Sequence, residues 1–368
     1  MISHLNYFIL IFSFGIVVNS CTGNQTGNNS GAENKKLSQP VREISYRITT
    51  PSDNQTFVIG KKINVSLEAA DTSGIDSLKL ILEDYSVSLQ PEKNLKADLE
   101  TEGMKTGHAR IKLRVFLHGG LTQDASVPVI FLSDVKPQSY GYRVLNVFPH
   151  SRNNYTQGLE YLNGHFYEGT GQYGKSSLQK IIYNTGEVVK LKTLDSDIFG
   201  EGITILNGKI FQITYQNKVG FVYDVESFDQ IRKIYYQNQE GWGLTNNGKE
   251  VLMSDGTNII YFMDPEYFSV IRKIEVYDDT QAVDKLNELE YIDGKIYANR
   301  YMTDQIVIID PESGKITGSA DMNGLLKEEE RQPSTDVLNG IAWDPGKKRL
   351  FVTGKNWPGI FHVELIPR

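Results

Sequence analysis

A short unit returns five times between residue 157 and the end of the chain, and a repeat of that size leaves few folds open. The copies begin at Gln157-Gly158-Leu159, Glu201-Gly202-Ile203, Glu240-Gly241-Trp242, Asn287-Glu288-Leu289 and Asn339-Gly340-Ile341. Each meets a turn signal a few residues later: Asn163-Gly164, Asn207-Gly208, Asn247-Gly248, Asp293-Gly294 and Asp344-Pro345-Gly346. The starts lie 44, 39, 47 and 52 residues apart. A period of about 45 residues with hairpin turns inside each unit points to four-stranded propeller blades. The last unit lacks an outermost strand, and residues 142–147, ahead of the first unit, form a spare strand of the right kind. Pairing the two would close a ring and remove an exposed edge. The expected fold is all-β, a five-bladed β-propeller over residues 138–368.

Ahead of it, residues 41–137 carry strand-like alternation. The runs 63–69 and 109–115 alternate apolar and polar residues strictly, as half-buried strands do. Roughly seven short strands in such a length fit a small immunoglobulin-like β-sandwich. No catalytic constellation gathers there, and His108 and His118 read as surface residues.

The first forty residues are of another kind. Residues 7–18 are apolar, too short for the roughly 20 residues of a bilayer-spanning helix, and lead into Val18-Asn19-Ser20-Cys21. Residues 1–20 therefore read as a lipoprotein signal peptide, with Cys21 as the lipidated residue. Residues 21–40, rich in Gly, Asn, Ser and Lys, read as a flexible tether. The placement expected is the cell envelope, lipid-anchored to a bacterial membrane, with the folded part outside the cytoplasm. Cys21 is the only cysteine, which excludes an internal disulfide and a thiolate zinc cage. A net charge of −7 with interspersed signs gives no basic stripe for nucleic acid. A monomer is expected.

Innermost propeller strands run beside the central channel, and the first repeat column is polar in every copy: Gln157, Glu201, Glu240, Asn287 and Asn339. A water-filled channel explains some of these. It does not explain Tyr215, Tyr301 and Lys355 at the ends of second strands, or Trp242 beside Glu240. Polar and aromatic groups converging on one mouth make a small-molecule or peptide pocket. The run Gly169-Thr170-Gly171-Gln172-Tyr173-Gly174 matches a dinucleotide fingerprint, but a strand pattern follows it where a phosphate-binding helix is needed. No H-E-x-x-H or G-x-S-x-G element occurs.

Around these positions the chain resembles the glutamine cyclotransferase family, the plant and bacterial type of glutaminyl-peptide cyclotransferase. The matching stretches span residues 142–363. They include Tyr155-Thr156-Gln157-Gly158-Leu159, Phe199-Gly200-Glu201-Gly202, Glu240-Gly241-Trp242-Gly243-Leu244, Leu286-Asn287-Glu288-Leu289 and Thr353-Gly354-Lys355-Asn356-Trp357. The resemblance implies a metal-independent five-bladed propeller, without cofactor, that converts N-terminal glutamine of peptides to pyroglutamate and releases ammonia. By the same resemblance Glu201 is the proton shuttle, Lys355 and Asn287 bind the developing oxyanion, and Gln157 holds the substrate. Trp242, Tyr215, Tyr301 and Tyr155 wall the pocket; the family's pattern has tryptophan at 215 and 301 and phenylalanine at 155. Glu240 stands next in line for the shuttle. The alternative is a non-catalytic propeller lipoprotein that binds peptides or cell-surface material. A propeller lactonase or lyase would need more cation ligands at the channel mouth than two glutamates.

Overall fold

The computed structural model describes residues 45–368. Cys21 and the segments 1–20 and 21–40 lie outside the described residues. Within them the protein is all-β, apart from a single 3-10 turn at Glu328–Glu330.

Eight strands, one more than expected, make two N-terminal sheets. Tyr46–Thr50, Ile63–Ala69 and Asn94–Leu99 form one, with Ile63–Ala69 in the middle. The other has the order Gln55–Val58, Thr122–Leu132, Gly107–Leu117, Ile75–Leu82, Tyr85–Leu89, its first pair parallel. The alternation read from the sequence sets which face is buried. Ile63, Val65 and Leu67 on one sheet pack with Ile111, Leu113 and Val115 on the other, and all six are buried.

From residue 156 onward the strands come in groups of four. The first group is Thr156–Leu162, His165–Thr170, Ser177–Ile182 and Val188–Thr193, paired in chain order. The second begins with Gly200–Leu206 and Lys209–Thr214, the third with Leu244–Asn246 and Val251–Ser254, and the fourth with Leu286–Ile292 and Lys295–Arg300. The fifth has Leu338–Asp344, Arg349–Gly354 and Gly359–Pro367 from the end of the chain. Its fourth strand is Gln138–Pro149, which pairs antiparallel with Gly359–Pro367. The expected closing strand 142–147 is thus the middle of a longer one, with Tyr142 opposite Leu365 and Val147 opposite Phe361. That strand also meets the fourth group through a short parallel pairing, Gln138 to Tyr140 against Gly318 to Ala320.

The hairpin turns follow from their residues. Asn163-Gly164, Asn207-Gly208 and Asp293-Gly294 all have positive φ at both positions and join strands across two residues, as a type I′ turn requires. In the third and fifth groups four residues make the connection instead. Apolar clusters then fill the space between successive groups. Phe148, Leu159, Phe166, Ala342 and Phe351 fill it between the fifth and the first, so the packing returns on itself. The first strands of the groups touch in the same cyclic order.

The N-terminal sheets dock on the third and fourth groups through polar contacts. Thr106 donates its N–H to the Ser313 carbonyl (2.9 Å) and its hydroxyl to the Glu275 carbonyl (2.6 Å). Lys315 pairs with Asp134 at 2.6 Å, and His108 with Glu275 at 2.6 Å. A cavity of about 620 Å³ lies at this junction, lined among others by Tyr85, Met104, His108 and Lys273.

Candidate active site

Two columns of residues build the site. The first is the residue ahead of the inner-strand glycine in four units and ahead of Glu288 in the other. Pairing slips by one residue at Gln157, between Gly200 and Ile203, between Leu286 and Leu289, and between Leu338 and Ile341. Such bulges re-aim a side chain out of the strand's alternation. Gln157, Glu201, Asn287 and Asn339 sit at them and are all buried. The glycines that follow let the inner strands nearly touch. A Cβ on Gly202 would lie 2.4 Å from the Leu244 nitrogen, and one on Gly243 would lie 2.0 Å from the Asn287 oxygen.

That contact series runs Gly158, Gly202, Gly243, and it corrects the repeat register. The third unit is Trp242-Gly243-Leu244, two residues later than Glu240-Gly241-Trp242. Trp242, not Glu240, holds the column position of Glu201. Glu240 lies outside the inner strand and does not line the pocket.

The second column is the first residue past each second strand. Tyr215, Tyr301 and Lys355 each donate a backbone N–H to the residue just ahead of the inner strand, to the carbonyls of Phe199, Lys285 and Val337. In the first group the place falls to Gly171, where a Cβ would come 2.4 Å from the Phe199 ring. The glycine leaves room for that ring.

The columns meet around a pocket of about 220 Å³ lined by Tyr155, Gln157, Phe199, Glu201, Tyr215, Trp242, Asn287, Tyr301 and Lys355. All eight expected catalytic and substrate-binding residues are brought together here. Phe199 was missed, although it precedes Glu201 by two residues just as Tyr155 precedes Gln157, so the repeat itself pairs the two positions. Asp336 was missed too. Its carboxylate accepts the Tyr155 hydroxyl at 3.0 Å. Only its place two residues ahead of the strand Leu338–Asp344 marks it in the sequence.

Glu201 accepts a hydrogen bond from the Gln157 amide at 2.8 Å. Burial holds its pKa well above the ordinary carboxylate range; Lys355 pulls it down and Glu240 adds to the rise. Lys355 is itself buried, which lowers its pKa against the pull of Glu201 and Asp336. Its ammonium sits 4.7 Å from the Tyr155 ring centre and 5.1 Å from that of Tyr301, so the two ring faces replace water around the charge. The Asn287 amide oxygen is buried without a partner. Trp242 meets Tyr301 edge-on at 5.4 Å, and Phe199 stands against Tyr155 and Tyr215. The arrangement offers a carboxyl whose pKa burial raises, a desolvated cation, free amide capacity and an aromatic wall. Among the described residues, no group of histidine, cysteine and carboxylate side chains is placed to hold a metal ion.

Below the pocket Glu288 stands where the other units have glycine. It is buried, and its carboxylate accepts the backbone N–H of Leu159 (3.2 Å) and of Ile341 (2.8 Å). It thereby reaches from the fourth group to the first and the fifth. The dinucleotide-like run joins His165–Thr170 to Ser177–Ile182 through a turn, with no helix after it.

A family model described as glutamine cyclotransferase matches residues 114–365, and one described as bacterial Ig domain matches residues 45–113. Their junction falls inside Gly107–Leu117, so the matched segments and the sheets do not share a boundary. A glutaminyl-peptide cyclotransferase of Arabidopsis thaliana is 42% identical over 227 residues, which is 60% of this chain and 70% of that protein. The crystal structure of Myxococcus xanthus glutaminyl cyclase matches with a TM-score of 0.59 and 31% identity, over 63% of this chain and all of that one.

Proposed function

The chain belongs to the glutamine cyclotransferase family, and from that premise we propose that it converts the N-terminal glutamine of peptides and proteins to pyroglutamate with release of ammonia. The family's named members are enzymes, and this chain is one. The observation that carries the reading is the buried Glu201, bonded to Gln157, in a small pocket that also holds Lys355 and Asn287.

The chemistry follows from those groups. The neutral α-amine attacks the γ-carboxamide carbon, a C–N bond forms, and the carbonyl oxygen takes the negative charge. The Glu201 carboxylate accepts the amine proton and returns it to the departing nitrogen, which leaves as ammonia while the carbonyl re-forms. A base works best with its pKa near the working pH, which burial of Glu201 favours. The Lys355 ammonium and the Asn287 amide stabilise the oxyanion, a contribution of about 3–4 kcal/mol for a preorganised donor. Gln157 orients Glu201 and the substrate. Trp242, Tyr215, Tyr301 and Tyr155 exclude water and fold the glutamine side chain back on its own amine.

The same reading takes residues 138–368 as a five-bladed β-propeller, which the cyclic packing of its four-stranded groups supports. It takes residues 41–137 as an immunoglobulin-like module and the protein as a monomer. It also places the protein in the cell envelope, anchored by lipid on Cys21. Cys21→Ser is expected to release it from membranes or stall its processing; unchanged membrane fractionation without lipid on the native protein would refute the anchor. The activity is tested by incubating the protein with a glutamine-initial dipeptide. Stoichiometric ammonia and a product lacking a free amine are expected. Binding of the dipeptide without ammonia would instead favour a binding module.

A further inference from the structure

We propose that Glu240 is a positioning residue for the cyclisation, fixing the plane of Trp242 at the pocket wall through a carboxylate–indole hydrogen bond; the role rests on the cyclotransferase reading above. Trp242 donates its indole N–H to Glu240 Oε2 at 2.9 Å. The other oxygen, Oε1, accepts the Gln216 side-chain amide at 2.9 Å, so the carboxylate is itself held in place. With both oxygens engaged and the residue outside the pocket lining, Glu240 is badly placed to shuttle protons.

The indole has two other neighbours. Tyr301 meets it edge-on at an interplanar angle of 79°, and the bare Gly256 lies so close that a Cβ there would come 2.7 Å from the ring. Both contacts confine the ring by shape. Only the hydrogen bond has a direction that distinguishes the observed ring from its flipped orientation, and its charge strengthens it. The wall is what folds a flexible glutamine side chain toward its own amine. A displacement of about 1 Å in such a surface costs on the order of 10²-fold in rate. Glu240 also acts on the neighbouring charges. It faces the Tyr215 hydroxyl, and its negative charge is one of the influences that raise the pKa of Glu201.

A double-mutant cycle on ammonia release separates this role from a merely structural one. Glu240→Ala should lower kcat/KM roughly 10- to 100-fold, as a loosened wall would. Trp242→Phe, which keeps a flat ring without the N–H, should make the Glu240→Ala change nearly silent. Glu240→Gln keeps an acceptor for the indole. It should retain most of the turnover while the acidic limb of the pH profile moves to lower pH, because the charge near Glu201 is gone. One of the three tryptophan indole N–H resonances should shift upfield in Glu240→Ala and less in Glu240→Gln. Additive effects in the cycle, an unchanged kcat/KM in Glu240→Ala, or no indole shift would each overturn the proposal. If Glu240→Ala does not fold, the pH profile and resonance of Glu240→Gln decide it alone. A wild-type protein that released no ammonia would defeat the cyclisation reading and this role with it. That outcome differs from an active wild type whose variants fail the cycle, which defeats the role alone.

Discussion

Glu201 and Lys355 are two opposite charges taken out of water in one pocket, and each bends the other's ionisation. Burial alone drives the carboxyl toward its neutral form and the ammonium toward its neutral amine, while their mutual attraction opposes both shifts. The net rise at Glu201 strengthens it as a base in the proposed reaction, and it makes the two proposed roles separable by pH. Glu201→Gln keeps the size and the acceptor for Gln157 but cannot carry a proton, so turnover should fall about 10²- to 10⁴-fold. Its acidic limb should then be only that of the substrate amine. Lys355→Ala should fall by roughly 10²- to 10³-fold through lost charge stabilisation and keep the enzyme's own acidic limb. Initial rates against pH at saturating dipeptide check both. A Glu201→Gln variant with near-normal turnover would move the shuttle to another group.

At the scale of the elements, the close approach of the inner strands is the controlling feature, and it depends on missing side chains. Gly243→Ala would push a methyl into the Asn287 carbonyl and Glu288 Cα, and backbone cannot yield as a flexible side chain does. Destabilisation of about 3 kcal/mol or more is expected in denaturant unfolding, in line with overpacking of a tight core, with activity lost through Asn287. Much of this level was legible beforehand. The Asn-Gly and Asp-Gly pairs marked hairpins because few residues accept positive φ twice in succession, and the unpaired strand 142–147 marked the closure. The third unit was misread by two residues because Glu240-Gly241-Trp242 imitates the polar-glycine-apolar pattern just ahead of Trp242-Gly243-Leu244. With the observed register the first four units start 44, 41 and 45 residues apart, more evenly than before. Phe199 was readable from the repeat, because it stands before Glu201 as Tyr155 stands before Gln157, whereas Asp336 was not, since its hydrogen bond to Tyr155 joins positions 181 residues apart.

Across the whole molecule, three carboxyl groups tie neighbouring groups of strands from the inside. Glu288 bridges to Leu159 and Ile341, Glu290 accepts the Trp343 N–H at 2.8 Å, and Glu160 accepts the Ile205 N–H at 2.7 Å. Burial raises the pKa of all three, that of Glu160 to about 8, and the Glu160 and Glu288 charges raise Glu290 further. Glu160 reaches solvent along part of its length while its carboxyl is enclosed. A carboxyl with a raised pKa in the fold binds its proton more tightly folded than unfolded. Its contribution is therefore complete below the ordinary carboxylate range and is lost as pH rises through the folded value. His150, buried against Glu168 with its pKa also raised, acts in the same direction. The depressed Asp124 and Asp310 act only on the acid side, where stability falls as they take up protons. The protein should thus lose stability steadily from mildly acidic pH to beyond about 8, by an amount on the order of a few kcal/mol. Glu160→Gln keeps an acceptor for Ile205, removes one ionisation and lessens the repulsion at Glu290, so its melting temperature should vary less over that range. Thermal unfolding of both proteins at a series of pH values is the measurement. A wild-type melting temperature that holds level or rises from pH 6 to 9 would show that these carboxyls already ionise freely in the folded protein, and the inner ties would then act as charged acceptors rather than as protonated ones.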